Sequence, residues 1–202
     1  YFYRIHEPKT KQLCQEYPEL NSYLYDTFKN CPNDYFQVEP RSSHLKFPLN
    51  KLNLTDVNNH EVCNLTKLGL EENAERFKSN HSKVQLFMLE NDKNTIAIEV
   101  PLWLQPNELE IYQTLFQSEN PLTGHIDLVR IEDNKIWIWD YKPNASREKY
   151  ASTQVYFYAL MLSKRTNIPL DNFMCGYFDS ANCYVFKPEE SHLEANNTLH
   201  DC

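Results

Sequence analysis

The segment Gly124-His125-Ile126-Asp127-Leu128-Val129, followed one hairpin turn later by Ile138-Trp139-Asp140-Tyr141-Lys142-Pro143, decides how this chain is read. Val129, Ile131, Ile136, Trp137, Ile138 and Trp139 supply β-branched and aromatic side chains, so residues 123–132 and 135–142 are expected to form a hairpin. Side chains alternate along a strand, so Asp140 and Lys142 emerge on one face, and Asp127 can join them across the sheet. Two carboxylates brought together repel, and each raises the other's pKa unless a cation sits between them. A hard divalent ion resolves that conflict. Magnesium takes oxygen ligands, accepts one or two carboxylates and leaves positions for water and a phosphate oxygen. A lysine beside it can orient the attacking water and offset charge developing in the transition state. The pattern points to metal-assisted phosphodiester hydrolysis.

Downstream, Tyr150 to Arg165 reads as a helix with Val155, Tyr158, Ala159 and Leu162 near one face, stopping before Pro169. Residues 172–179 and 182–187 give a last strand pair. Upstream, 83–90 and 95–104 are β-rich and are separated by the polar turn Glu90-Asn91-Asp92-Lys93-Asn94, which suits a second hairpin. Val62, Leu65, Leu68, Ala74 and Phe77 recur at helical intervals and predict an amphipathic helix over 61–79. Residues 106–121 read as a looser stretch. The first 60 or so residues mix aromatics with Pro and Asn, with short helices over 9–16 and 19–29 separated by Pro18 and Pro32. The order helix, strands, helix, strands is an α/β arrangement with a mixed central sheet flanked by helices. The expected organisation is an N-terminal helical or irregular extension (1–60), a core (61–190) and a C-terminal tail (191–202).

Composition narrows the function classes. Of 202 residues, 20 are Lys or Arg and 28 are Asp or Glu, for a net charge of −8. That balance excludes binding to nucleic acid by bulk positive charge. Only three glycines are present, which removes the glycine-rich phosphate loops of P-loop NTPases and Rossmann dinucleotide binders. The six cysteines form no C-x-x-C pair and read as reduced thiols. No window approaches the roughly 20 apolar residues of a membrane helix, and Tyr1-Phe2-Tyr3-Arg4 lacks the layout of a signal peptide, so a cytoplasmic protein with no membrane partner is expected.

The ordered set Gly124-His125-Ile126-Asp127, then Asp140-Tyr141-Lys142, resembles the core signature of the PD-(D/E)XK nuclease superfamily, and most closely its RecB-type exonuclease branch. That branch also carries Gln-x-x-x-Tyr on the helix after the lysine strand, and here Gln154 and Tyr158 stand four apart, on one helix face. The resemblance implies a restriction-endonuclease-like core. It further implies that Asp127 and Asp140 bind Mg2+ or Mn2+ with the backbone carbonyl of Tyr141, that Lys142 positions the nucleophilic water, and that Gln154 and Tyr158 contact substrate. Relatives usually add a His or Glu from the first core helix. His60, Glu71, Glu72 and Glu75 compete for that role, with Glu72 or Glu75 favoured. Glu99 lies where relatives often carry an acidic residue on an early strand. Some relatives hold a [4Fe-4S] cluster on closely spaced cysteines; Cys175, Cys183 and Cys202 are far apart, and no iron–sulfur cluster is expected.

The resulting expectation is a divalent-metal-dependent deoxyribonuclease, exonucleolytic or single-strand-preferring, acting on single-stranded DNA or duplex ends. RNA remains open as a substrate, since the chemistry is the same, as does a partner protein or a homo-oligomer. The alternative is a catalytically inactive nuclease-fold module that binds nucleic acid or a protein partner in a larger complex. Trp137, Trp139, Tyr156 and Phe157 suit either base stacking or core packing, packing being the simpler account. Arg130, Lys142, Arg147, Lys149, Lys164 and Arg165 offer a local phosphate track within an acidic protein.

Overall fold

The computed structural model describes residues 2–193, and the chain enters its fold through a two-residue strand, β1 (Arg4–Ile5). Pro8 and Pro18 then lie in the first turns of α1 (Glu7–Leu13) and α2 (Pro18–Asn30), where a missing N–H removes no intrahelical bond. Pro18 thus starts a helix as well as ending the segment before it. An irregular stretch leads to β2 (Thr55–Asp56) and α3 (Glu61–Glu72), which His60 caps by accepting the Val62 N–H on Nδ1. There follow α4 (Asn80–Asn91), β3 (Thr95–Leu104), α5 (Tyr112–Phe116), β4 (Leu122–Glu132), β5 (Lys135–Tyr141), α6 (Ala151–Thr166), β6 (Phe173–Phe178) and β7 (Cys183–Phe186).

Three expectations change. The helix expected over 61–79 ends at Glu72, where Asn73 turns the chain and donates from Nδ2 to Lys83 O at 2.9 Å. Residues 83–90 are not a strand but most of α4, begun by Ser79 Oγ accepting the Ser82 N–H at 3.0 Å. Every residue from Val84 to Leu89 is buried, so α4 shows no polar stripe and its helical period is invisible. Leu, Met and Gln nonetheless favour helix once packing is satisfied from all sides. Finally, the stretch expected to be loose over 106–121 contains the single-turn helix α5.

Among the described residues, seven strands form one sheet in the order β1-β3-β4-β5-β6-β7-β2. β3, β4 and β5 run antiparallel to one another; β5 and β6 are parallel; β6 and β7 are antiparallel. A parallel pair needs a crossover, and α6 supplies it between β5 and β6. One face of the sheet packs on α6 and α2 through Ile126, Val129, Ile138, Phe157 and Leu24. The other packs on α3 and α4 through Ile98, Leu128, Trp139, Val62 and Met88. The N-terminal segment belongs to this packing: β1 extends the sheet beside β3, β2 extends it beside β7, and Tyr17, Leu20 and Leu24 enter the α6-side core. No helix among the described residues is long and apolar enough to cross a membrane.

Candidate active site

Strand alternation predicts that residues two apart share a face, but β3 and β4 break this rule at the same rung. Ala97 and Val100, three apart, both enter the α6-side core, as do Ile126 and Val129. Ile98 and Leu128 enter the opposite core, leaving Glu99 and Asp127 at the point where the alternation slips. The β3–β4 register pairs Ile98 with Leu128 and Val100 with Ile126, so Glu99 faces Asp127. Glu99 has φ of 52°, the left-handed region, in the middle of a strand. A non-glycine residue there is held only by its surroundings, and such strain concentrates at functional positions. The β4–β5 ladder ends at Leu128 opposite Trp139, so the next rung brings Asp140 beside Asp127.

Asp127 is held from two sides. Its Oδ2 accepts the Tyr141 N–H at 2.8 Å and its Oδ1 accepts Gln85 Nε2 at 3.1 Å. The same Gln85 nitrogen donates to Glu99 Oε1 at 2.6 Å. Lys142 Nζ lies 2.8 Å from Asp140 Oδ2, a buried oxygen that makes this ion pair without a well-aligned hydrogen bond. Gln154 Nε2 reaches Tyr158 Oη at 2.7 Å and Asp140 Oδ1 at 3.4 Å. His81 Nε2 is 3.9 Å from Asp127 Oδ2, and its ring meets the Tyr141 ring edge-on at 5.0 Å between centroids. These groups line one cleft of about 660 Å³.

The electrostatics are those of a site short of positive charge. Burial, reinforced by the Asp140 and Glu99 carboxylates, pushes the Asp127 pKa well above the usual carboxylate range. Burial raises Glu99 as well, against the stabilising Gln85 hydrogen bond. Burial pulls Lys142 down, but the Asp140 carboxylate outweighs it and the ammonium is held charged. Burial lowers the His81 pKa and favours a neutral imidazole able to donate a lone pair. With all three carboxylates ionised, one lysine would leave the site net negative; the raised pKa values of Asp127 and Glu99 express that cost, which a divalent cation would relieve.

The structure brings Asp127, Asp140, Lys142, Glu99, Gln154 and Tyr158 together. Glu72 and Glu75 stand elsewhere: both are exposed, at and just after the end of α3, and neither lines the cleft. The helix facing the carboxylates is α4, and the side chains it presents are His81 and Gln85, missed because that segment reads as a strand. Their i, i+4 spacing was the available signal. His60 is a helix cap whose ring meets Trp137 and Trp139 at a tilt, with centroids 6.3 and 5.1 Å apart, and Glu71 is exposed. Trp139, Tyr156 and Phe157 are core residues. Arg130 is fully buried among Asp92, Glu61 and Glu132, at 2.8, 2.9 and 3.2 Å, and so takes no part in any phosphate track. Cys175 and Cys183 are buried free thiols, while Cys202 lies outside the described residues.

Among the described residues, no three His, Cys, Asp or Glu side chains form a ready-made metal cage. The donor set nonetheless fits a magnesium-type ion, which needs only one or two carboxylates and fills its remaining positions with water and substrate. Asp140 Oδ2, buried and facing the Lys142 ammonium at 2.8 Å, is a carboxylate oxygen that such an ion would share with the lysine.

A mixed sheet flanked by helices, with three acids and a lysine in one cleft, makes this an α/β protein whose cleft has the donor set suited to metal-assisted phosphodiester chemistry. Its family is also shown by sequence: the chain belongs to the PD-(D/E)XK nuclease superfamily, whose family model matches residues 57–199, more than half of the 202. The sheet order is accordingly that of a restriction-endonuclease-like core, and members of the family generally hydrolyse nucleic acids with divalent metals. A search of curated proteins finds no match to the chain.

Proposed function

We propose that this chain is a divalent-metal-dependent deoxyribonuclease acting on DNA strands with unpaired ends. The observation that carries the reading is the convergence of Asp127, Asp140 and Lys142 at one end of the β4–β5 hairpin, within a cleft that also holds Glu99, Gln154 and Tyr158. Asp127 and Asp140, with the Tyr141 carbonyl and Glu99, would hold Mg2+ or Mn2+. Bound there, the ion supplies Lewis-acid polarisation of the phosphate and charge neutralisation. Lys142, fixed by Asp140 and kept protonated, donates a hydrogen bond to the attacking water and to the phosphate as its charge builds. Gln154 and Tyr158, locked to each other at 2.7 Å, hold the far wall rigid and present polar atoms to the phosphodiester backbone. Gln85 spaces Glu99 and Asp127 by donating to both.

The test is incubation with end-labelled single-stranded DNA, blunt duplex DNA and single-stranded RNA, with Mn2+ and with EDTA. Mn2+-dependent shortening of single-stranded DNA, lost in Asp127→Ala, Asp140→Ala and Lys142→Ala, supports the reading. Equal activity in all three variants overturns it. Binding without any cleavage would favour the inactive module, and cleavage confined to RNA would reassign the substrate.

A further inference from the structure

The family match begins at residue 57, yet the cleft extends onto residues that precede it. Phe2, Arg4, Phe36 and Arg41 line the same cavity as Asp127, Asp140 and Lys142. A strap over 40–44 places them. Pro40 O accepts the Thr123 N–H at 3.2 Å, Ser42 Oγ donates to Thr123 O at 2.9 Å, and Arg41 bridges Thr123 in parallel register. Arg41 Nη2 donates to Phe36 O at 2.8 Å, and the Phe36 ring packs on His125 with centroids 4.9 Å apart. Thr123, His125 and Asp127 are successive alternate positions on β4. At about 3.3 Å per residue, the backbone at His125, on which Phe36 packs, lies about 7 Å along β4 from that at Asp127, and the backbone at Thr123, which Arg41 bridges, lies about 13 Å from it. Arg4 is exposed on β1, the sheet edge beside Glu99's strand.

We infer that this segment is a strand-binding wall for the nuclease site: Arg41 and Arg4 pair with phosphates flanking the scissile one, and Phe36, backed by His125, stacks an unpaired base. Its occupant is single-stranded nucleic acid. Stacking needs a base face freed from its pair, and two arginines opposite an acidic centre suit a backbone that enters the cleft along β4. In a protein of net charge −8, Arg4 and Arg41 place cationic groups at the cleft, Arg41 with its Nε 4.0 Å from Glu39 Oε1, a loose ion pair that a phosphate can displace. The inference rests on the nuclease reading above and adds to it the residues that select the substrate form.

The test uses the full chain carrying Lys142→Ala, in EDTA, titrated into a fluorescein-labelled thymidine oligonucleotide and a labelled blunt duplex across a range of salt. Phe36→Ala should weaken single-strand binding by about 5- to 150-fold, leaving the salt slope unchanged and duplex binding unaffected. Arg41→Ala and Arg4→Ala should each flatten the slope of log K against log salt by about 0.7. Arg41→Lys should restore the slope, which a merely structural role would not predict. Phe36→Leu and Arg41→Gln carry the test if an alanine variant loses its unfolding transition. Unchanged affinity and slope in these variants, with the parent still binding, would overturn the wall while the nuclease reading stands. Equal loss on duplex and single strand would overturn the stacking role. A wild-type chain that neither binds nor cleaves any strand in Mn2+ would overturn both readings.

Discussion

Glu99 and Asp127 face each other across the β3–β4 rung and share a single donor, the Nε2 of Gln85, at 2.6 and 3.1 Å. One amide thus donates to both of two mutually repelling carboxylates, on strands whose alternation slips at that rung.

Relief of this repulsion gives the first prediction. Glu99→Gln keeps an oxygen for Gln85 and removes one negative charge. At neutral pH the metal-free variant is expected to unfold at a higher temperature than wild type, and to gain less from Mn2+. Thermal unfolding with and without Mn2+ measures both, since a ligand that binds only the native state stabilises it by mass action.

The pH dependence follows in sign. Asp127 and Glu99 both have folded pKa values above their ordinary ones. A carboxyl so shifted contributes stability below its unfolded pKa, about 4, and loses it as pH rises through the folded value. Metal-free protein should therefore lose Tm as pH increases above about 4 on their account, and Mn2+ should restore most in the same window. A metal-free Tm that rises through this window in wild type but not in Glu99→Gln would contradict the assignment.

Lys142→Ala leaves Asp140 without its cation. Hydrolysis should fall by about 100- to 1,000-fold, the usual effect of deleting one charge-stabilising donor. Metal-free stability should drop, because a buried charge is left unpaired. Mn2+ should still stabilise the variant, which separates the roles of lysine and carboxylates.

Gly124 tests the strap. A Cβ built there would lie 2.4 Å from Tyr158 Cε1 and 2.9 Å from Ser42 Oγ, so Gly124→Ala must displace the tyrosine, the strap or both. Expected are a loss of about 1–3 kcal/mol by chemical denaturation and reduced cleavage. A double variant with Tyr158→Phe should be no less active than Gly124→Ala alone if the glycine acts through the tyrosine hydroxyl.

How much of this was written in the sequence depends on which force shaped each element. The β4–β5 hairpin was legible because Ile136 and Ile138 face one core while Trp137 and Trp139 face the other, a period of two with β-formers throughout. Helix α6 was legible from its length and its Pro169 stop, and with it Gln154 and Tyr158. α4 was not, because burial from Val84 to Leu89 erased the polar face that reveals a helix. With that segment reading as a strand, Glu72 and Glu75 are the helical acids the sequence offers, while the cleft is lined from α4 by His81 and Gln85. Two-residue strands such as Arg4–Ile5 carry no periodicity at all, so the part the N-terminal segment plays in the sheet and the cleft emerges only from tertiary pairing. The convergence of Glu99 on Asp127 needs a positive φ that no residue type at that position announces.

The most direct test of the central claim is the time course of Mn2+-dependent hydrolysis of end-labelled single-stranded DNA by wild type and by Asp140→Ala, each shown folded by its unfolding transition. The account predicts cleavage by wild type that EDTA abolishes and none by the variant; cleavage at the same rate by both, or cleavage indifferent to EDTA, would contradict it.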